Sequence, residues 1–257
     1  MWDSICLFQI LLSVSSGERI ISRTYYLIGM KAGVVGLIDG SLDDVSSFHN
    51  TFEKDGTEFT HSFQVRNTNH TTGGREVISG QAATQEVEDD TNIHIDPDTG
   101  DISVQDEPLK KGKYTDFVLV PDEFVAVGSG RGTFVFDILS YEHSVNGLNR
   151  STIDLNEYAE RYYTAENVDP WQVGFYGNVG NAEKGVVYGE NVFSDDEIGE
   201  VLERSQLNQL GLQFERDGQI IKTTMSESGY VEIYQPSNFE SEDYAEFILN
   251  DLTSFME

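Results

Sequence analysis

"FERDGQIIKTTMSESGYVEIY", residues 214–234, carries the reading of the fold. Asp217-Gly218 and Ser228-Gly229 divide it into three short β-rich runs, and such dipeptides between alternating segments are hairpin turns. In its last run Tyr230 and Glu232 alternate with Val231 and Ile233, which places the two pairs on opposite faces. Strands joined by so few residues must pair antiparallel, so the stretch is a three-stranded meander.

The same signature recurs at 33–38, 57–66, 115–120, 123–127, 132–139, 171–176, 184–188, 207–215, 218–225 and 229–234. Between these runs, four segments show a serine with an acidic residue three positions on, followed by apolar residues at helical spacing. They are Ser41/Asp44 before Val45, Phe48 and Phe52; Ser151/Asp154 before Leu155, Tyr158 and Tyr162; Ser194/Glu197 before Ile198, Val201 and Leu202; and Ser237/Glu240 before Tyr244, Phe247, Ile248, Leu252 and Phe255. One apolar stripe per helix means one buried face. Strands and helices segregate along the chain, which predicts an α+β fold: a curved antiparallel sheet with helices on one face. The last stripe predicts that the helix over 238–256 packs across the meander of 207–234.

Three regions follow. Residues 1–29 read as an amino-terminal extension, an upstream-extended start or a weak signal or membrane-proximal segment, with a genuine structural strand or helix as the remaining alternative, since "ICLFQILLSV" is too short to cross a bilayer and Asp3 precedes it where a signal peptide carries a cation. Residues 30–165 form a first α+β half and 166–257 a second. Within the first, 68–90 has few large apolar residues and two adjacent glycines, which predicts a mobile loop or insertion. "GVVGLIDGSLDD" from Gly33 and "GVVYGENVFSDD" from Gly185 suggest duplicated β-α-β-β-β-α halves, with chance similarity as the alternative.

Composition speaks to environment. The 257 residues hold 16 Lys and Arg, of which seven are Lys, against 45 Asp and Glu, a formal net charge of −29. The acidic residues are spread rather than gathered in a tail. Such a surface repels itself unless salt at about 1 M or above shortens the screening length to roughly 3 Å. This predicts a halophilic protein of haloarchaeal type, from such an organism or its virus or plasmid, in a salt-rich cytoplasm, or secreted if residues 1–29 act as a signal. The body has no apolar run long enough for a membrane helix. Nucleic acid is a poor partner for so acidic a chain except in high salt. Cys6 is the single cysteine, which excludes an internal disulfide and a multi-cysteine zinc site.

Candidate sites are few. "IDPDTGDISV", residues 95–104, gathers Asp96, Asp98 and Asp101 near Gly100, a carboxylate set that suits a hard cation. The calcium-loop pattern fails, because Gly100 stands where a ligand belongs and Asp101 where the glycine belongs. Alternating Ile93, Ile95, Ile102 and Val104 on its flanks favour a hairpin turn. The five histidines, His49, His61, His70, His94 and His143, lack metal-site spacing. "VGSGRGTFVFDIL", residues 127–139, has three alternating glycines but no P-loop lysine, and its apolar continuation reads as a strand, leaving Arg131 at a turn tip. In "DPWQVGFYGNVGN", alternation groups Trp171 with Val173 and Phe175 and sets Gln172, Gly174 and Tyr176 on the other face. A row of Tyr176, Tyr230 and Tyr234 would form a recognition surface, with Arg131 a further partner contact. These features point to a non-enzymatic binding or assembly module that uses an exposed sheet face or edge for a protein partner or self-association and takes no cofactor. The alternatives are a metal-assisted hydrolase on converging carboxylates such as Asp96, Asp98, Asp137 and Glu232, and a salt-tolerant DNA-binding regulator.

Overall fold

The structure, a computed structural model, describes residues 29–257 apart from Asp43, Asp55, Asn146, residues 164–166, Gly180, Asn181 and Asp217. The expectations for residues 1–28, Cys6 included, lie outside the described residues. In chain order the strands are β1 (Ala32–Leu37), β2 (Phe48–Lys54), β3 (Thr57–His70), β4 (Glu76–Ile95), β5 (Ile102–Val120) and β6 (Phe124–Val127). Helix α1 (Phe134–His143), the short β7 (Asn149–Arg150) and α2 (Leu155–Tyr163) follow. Then come β8 (Val168–Val179), β9 (Ala182–Tyr188), α3 (Asp196–Glu203), β10 (Gln206–Arg216), β11 (Gln219–Ser226), β12 (Tyr230–Gln235) and α4 (Ser241–Phe247).

The meander is β10-β11-β12, and it sits inside one open antiparallel sheet of order β2-β3-β4-β5-β6-β1-β12-β11-β10-β8-β9, with β7 beside β1. The two halves of the chain therefore share a sheet, joined where Ala32 of β1 pairs with Glu232 of β12. The likeness of the two "GVV" strands does not extend to topology: β1 lies in the middle between β6 and β12, while β9 is an edge strand beside β8.

Alternation along β1 sends Val34 and Val35 into different cores. Val34 joins Phe63, Phe117, Leu119 and, from α1, Phe136 and Leu139. Val35 joins Val231 and Ile233 together with Tyr158 of α2, Leu202 of α3 and Tyr244 and Phe247 of α4. Three helices thus share one face and α1 lies on the other. The carboxy-terminal stripe is buried as expected: Tyr244, Phe247, Ile248, Leu252 and Phe255 are all at most 5 % exposed. The Tyr244 hydroxyl donates to the carbonyl of Val231 at 3.0 Å, which ties α4 to β12.

Several local expectations are corrected. The described residues of 41–52 are not helical; β2 occupies Phe48–Lys54, with Phe48 opposite Phe63 and Phe52 opposite Phe59. Residues four apart share a face in a helix and in a strand alike, and stacking of these ring pairs at 5.4 and 5.5 Å decides for the strand. The 132–139 run is not a strand: Gly130–Thr133 is a 3-10 turn leading into α1. It is apolar on nearly every side because α1 is pressed onto the sheet, a case in which periodicity does not discriminate. The helix that follows removes one objection to phosphate at these glycines; the missing lysine still stands.

Residues 68–90 are not a loop. They hold the end of β3, a turn at Thr71–Gly74 and most of β4, with Thr71 and Arg75 joined backbone to backbone. Large apolar residues are scarce there because Phe63 and Phe117, paired with Ala82 and Gly80, stack on each other at 4.1 Å. A Cβ at Gly80 would lie 2.0 Å from the Gln64 carbonyl oxygen, so the small residue is required. The caps also shift. Asp154 accepts from the Glu157 amide, Asp195 accepts from those of Glu197 and Ile198, and Glu240 forms the capping box of α4 with Asp243. Ionised carboxylates at helix starts gain from the dipole as well as the hydrogen bond, and they displace the serines expected in this role.

Candidate functional site: an aromatic sheet face

Strand β8 does not keep a regular alternation. Gln172 pairs with Gly211 and Pro170 with Leu212, leaving Trp171 as the extra residue of a β-bulge. The bulge turns the indole away from the core face of Val173 and Phe175 and lays it against Gly211. There a Cβ would come within 2.8 Å of Trp171 Cε2 and 2.9 Å of Cζ2. Glycine is thus what lets the ring sit on the sheet, on the face opposite α2, α3 and α4. The expected grouping of Trp171 with Val173 and Phe175 is corrected accordingly.

On this face Trp171 gathers neighbours from three other strands. The Tyr234 ring meets it edge-on at 6.0 Å and the Tyr188 ring lies at 6.5 Å. Lys222 holds its ammonium 4.4 Å from the indole centroid, within cation–π range. Tyr188 and Tyr234 are 66 % and 43 % exposed, so the cluster presents aromatic surface to solvent beside a cation. Trp171 Nε1 is itself shielded and has no hydrogen-bond partner.

The three tyrosines singled out from the sequence do lie on this face, each with a different setting. Tyr234 belongs to the Trp171 cluster. Tyr230 is half-buried beside the α1-side core and donates to Glu232 at 2.9 Å; burial, reinforced by the Glu232 carboxylate, pushes its phenol up to about 12. Tyr176, 40 % exposed, donates to Glu227 at 2.9 Å, and that bond raises its phenol above the ordinary value. Trp171, Tyr188 and Lys222 were not in the expected set. The available signal was Pro170 inside a strand, which marks a bulge or an edge.

The other candidates fall elsewhere. Arg131 is exposed in the turn before α1. The 95–104 stretch is the tip of the β4–β5 hairpin, where Ile93, Ile95, Ile102 and Val104 stand 61–68 % exposed. Asp96 closes this tip: its Oδ1 accepts from the Asp98 and Thr99 amides at 2.8 and 2.9 Å, and these bonds hold its carboxyl below the usual range. Among the described residues no three His, Cys, Asp or Glu side chains converge as a metal-ligand set, and Asp96 and Asp98 at the tip, Asp137 on α1 and Glu232 on β12 are not brought together. No described helix is long and apolar enough to cross a membrane. No protein-family model matches the sequence, and comparison with curated proteins finds no match.

Proposed function

We propose that the protein is a non-enzymatic binding or assembly module for a salt-rich cytoplasm, and that it recognises a protein partner through the aromatic sheet face. The observation that carries this reading is the Trp171–Tyr188–Tyr234 cluster with Lys222, where a bulge at Trp171 and the glycine at 211 seat the indole on the sheet. Aromatic side chains give large contact area at low entropic cost. They also act through apolar contact, which strong salt leaves intact or strengthens, whereas ion pairs are screened. A surface already crowded with carboxylates gains selectivity from the few places where rings replace charge.

The test is Tyr188→Ser together with Tyr234→Ser, both at exposed positions. At about 2 M salt the double variant should keep the wild-type melting temperature and lose co-purifying protein, or lose concentration-dependent self-association in sedimentation. Unchanged association of a folded double variant would overturn the assignment of this face.

A further inference from the structure

A concave feature lies on the same side of the sheet as the aromatic cluster but at its other end. It is a groove of about 700 Å³ between α1 and strands β2, β3 and β4, well within the size range of small-molecule sites. Its walls include the rings of Phe52, Phe134 and Tyr141 and the side chains of His61, Asp137 and Glu142. Among the described residues lining it there is no lysine or arginine.

His61 is the unusual member. Its side chain is only 9 % exposed, and its Nε2 is shielded from solvent with no hydrogen-bond partner. Glu142 Oε1 stands 3.7 Å away, beyond hydrogen-bond length, and already receives the Asn50 side-chain amide. The Phe52 ring lies 5.6 Å from the imidazole. A buried polar atom left without a partner is costly, and here it lines a cavity between a carboxylate and an aromatic wall. The Asp137 side chain, on α1, is exposed at the groove.

We propose that this groove binds an organic primary ammonium carried on an aromatic or comparably apolar body. An ammonium has three N–H donors and no acceptor. The Asp137 and Glu142 carboxylates are the matching acceptors, beside the unpartnered Nε2 of His61. The rings of Phe52, Phe134 and Tyr141 supply both a cation–π wall and contact for the apolar body. The body is what distinguishes such a ligand from sodium or potassium, which compete for the carboxylates in strong salt but have no apolar surface to bury against the rings. The proposal is independent of the aromatic sheet face, since the two sites share no residue.

Calorimetric titration with phenethylamine, at about 2 M NaCl and neutral pH, tests it. Saturable binding with Kd of about 1 mM or tighter is expected. The neutral 2-phenylethanol and the ring-less ethylamine should each bind at least about 10-fold more weakly, a difference of about one interaction. Glu142→Gln and Asp137→Asn should each weaken phenethylamine by a similar factor, while Tyr188→Ser on the sheet face leaves it unchanged. Asp137→Asn keeps the test decisive should Glu142→Gln fail to fold. Absence of saturable binding to about 20 mM, equal binding of 2-phenylethanol, or wild-type affinity in a folded Asp137→Asn/Glu142→Gln double variant would each overturn the proposal.

Discussion

Phe247→Ala measures how far the second half of the sheet depends on α4. Phe247 is 1 % exposed, its ring is stacked over Phe214 of β10 at 6.5 Å, and it shares a core with Tyr244, Ile248 and Leu252. Phe214 is held by strand pairing on both sides of β10, which limits collapse into the space the ring would leave, so the substitution should cost about 3–5 kcal/mol in lost transfer energy and cavity. For a domain of this size about 1 kcal/mol moves the melting temperature by roughly 2–4 °C. The variant should therefore melt roughly 6–20 °C below wild type when followed by circular dichroism at about 3 M salt. Asn250→Ala, exposed on the same carboxy-terminal segment, is the control and should stay within about 0.5 kcal/mol of wild type. A Phe247→Ala protein that melts with the control would refute the core assignment and leave α4 as a detachable element.

Two further outcomes follow from charge and burial. Tyr230, held to about 12 against an unfolded value of about 10, keeps a proton in the folded state that the unfolded chain has already released across that interval. Stability must then fall as pH rises from about 10 to 12, by on the order of 1 kcal/mol once its partial exposure is discounted; urea titrations of Tyr230→Phe should show a flatter decline there than wild type, and parallel curves would contradict it. With 45 acidic residues against 16 basic, dilution from about 3 M to about 0.1 M salt should lower the melting temperature steeply, and an unchanged melt would remove the case for a halophilic protein.

The sequence made the antiparallel α+β architecture, nine of the ten strand cores and the buried carboxy-terminal stripe legible, because each rests on alternation or helical spacing that burial enforces. It failed where two structures share one pattern. Phe48 and Phe52 lie on one face of a helix or a strand, and "GTFVFDIL" is apolar enough for either. The 68–90 segment was misleading for another reason: Gly80 and Ala82 are small because rings from β3 and β5 pass over them, a fact held by residues distant in the chain. Of the candidate site, the tyrosine face was readable from period two, whereas Trp171 was not, since a bulge breaks the alternation on which that reading depends. The His61 groove depends on β2, β3, β4 and α1 meeting in space, and local spacing carries no trace of it.

The pairing of β1 with β12 also has a consequence during synthesis. Ala32 leaves the ribosome long before Glu232, its partner, and at about 5–20 residues per second the interval is on the order of 10–40 s. For that time the first half can pair β1 with β6, while the other edge of β1 is left without β12. Exposed strand edges recruit other chains, so nascent copies on one message face the risk of joining through β1. The abundance of negative charge, whose expected effect on the folded protein in dilute salt is a loss of stability, would then serve the unfinished one by keeping neighbouring chains apart.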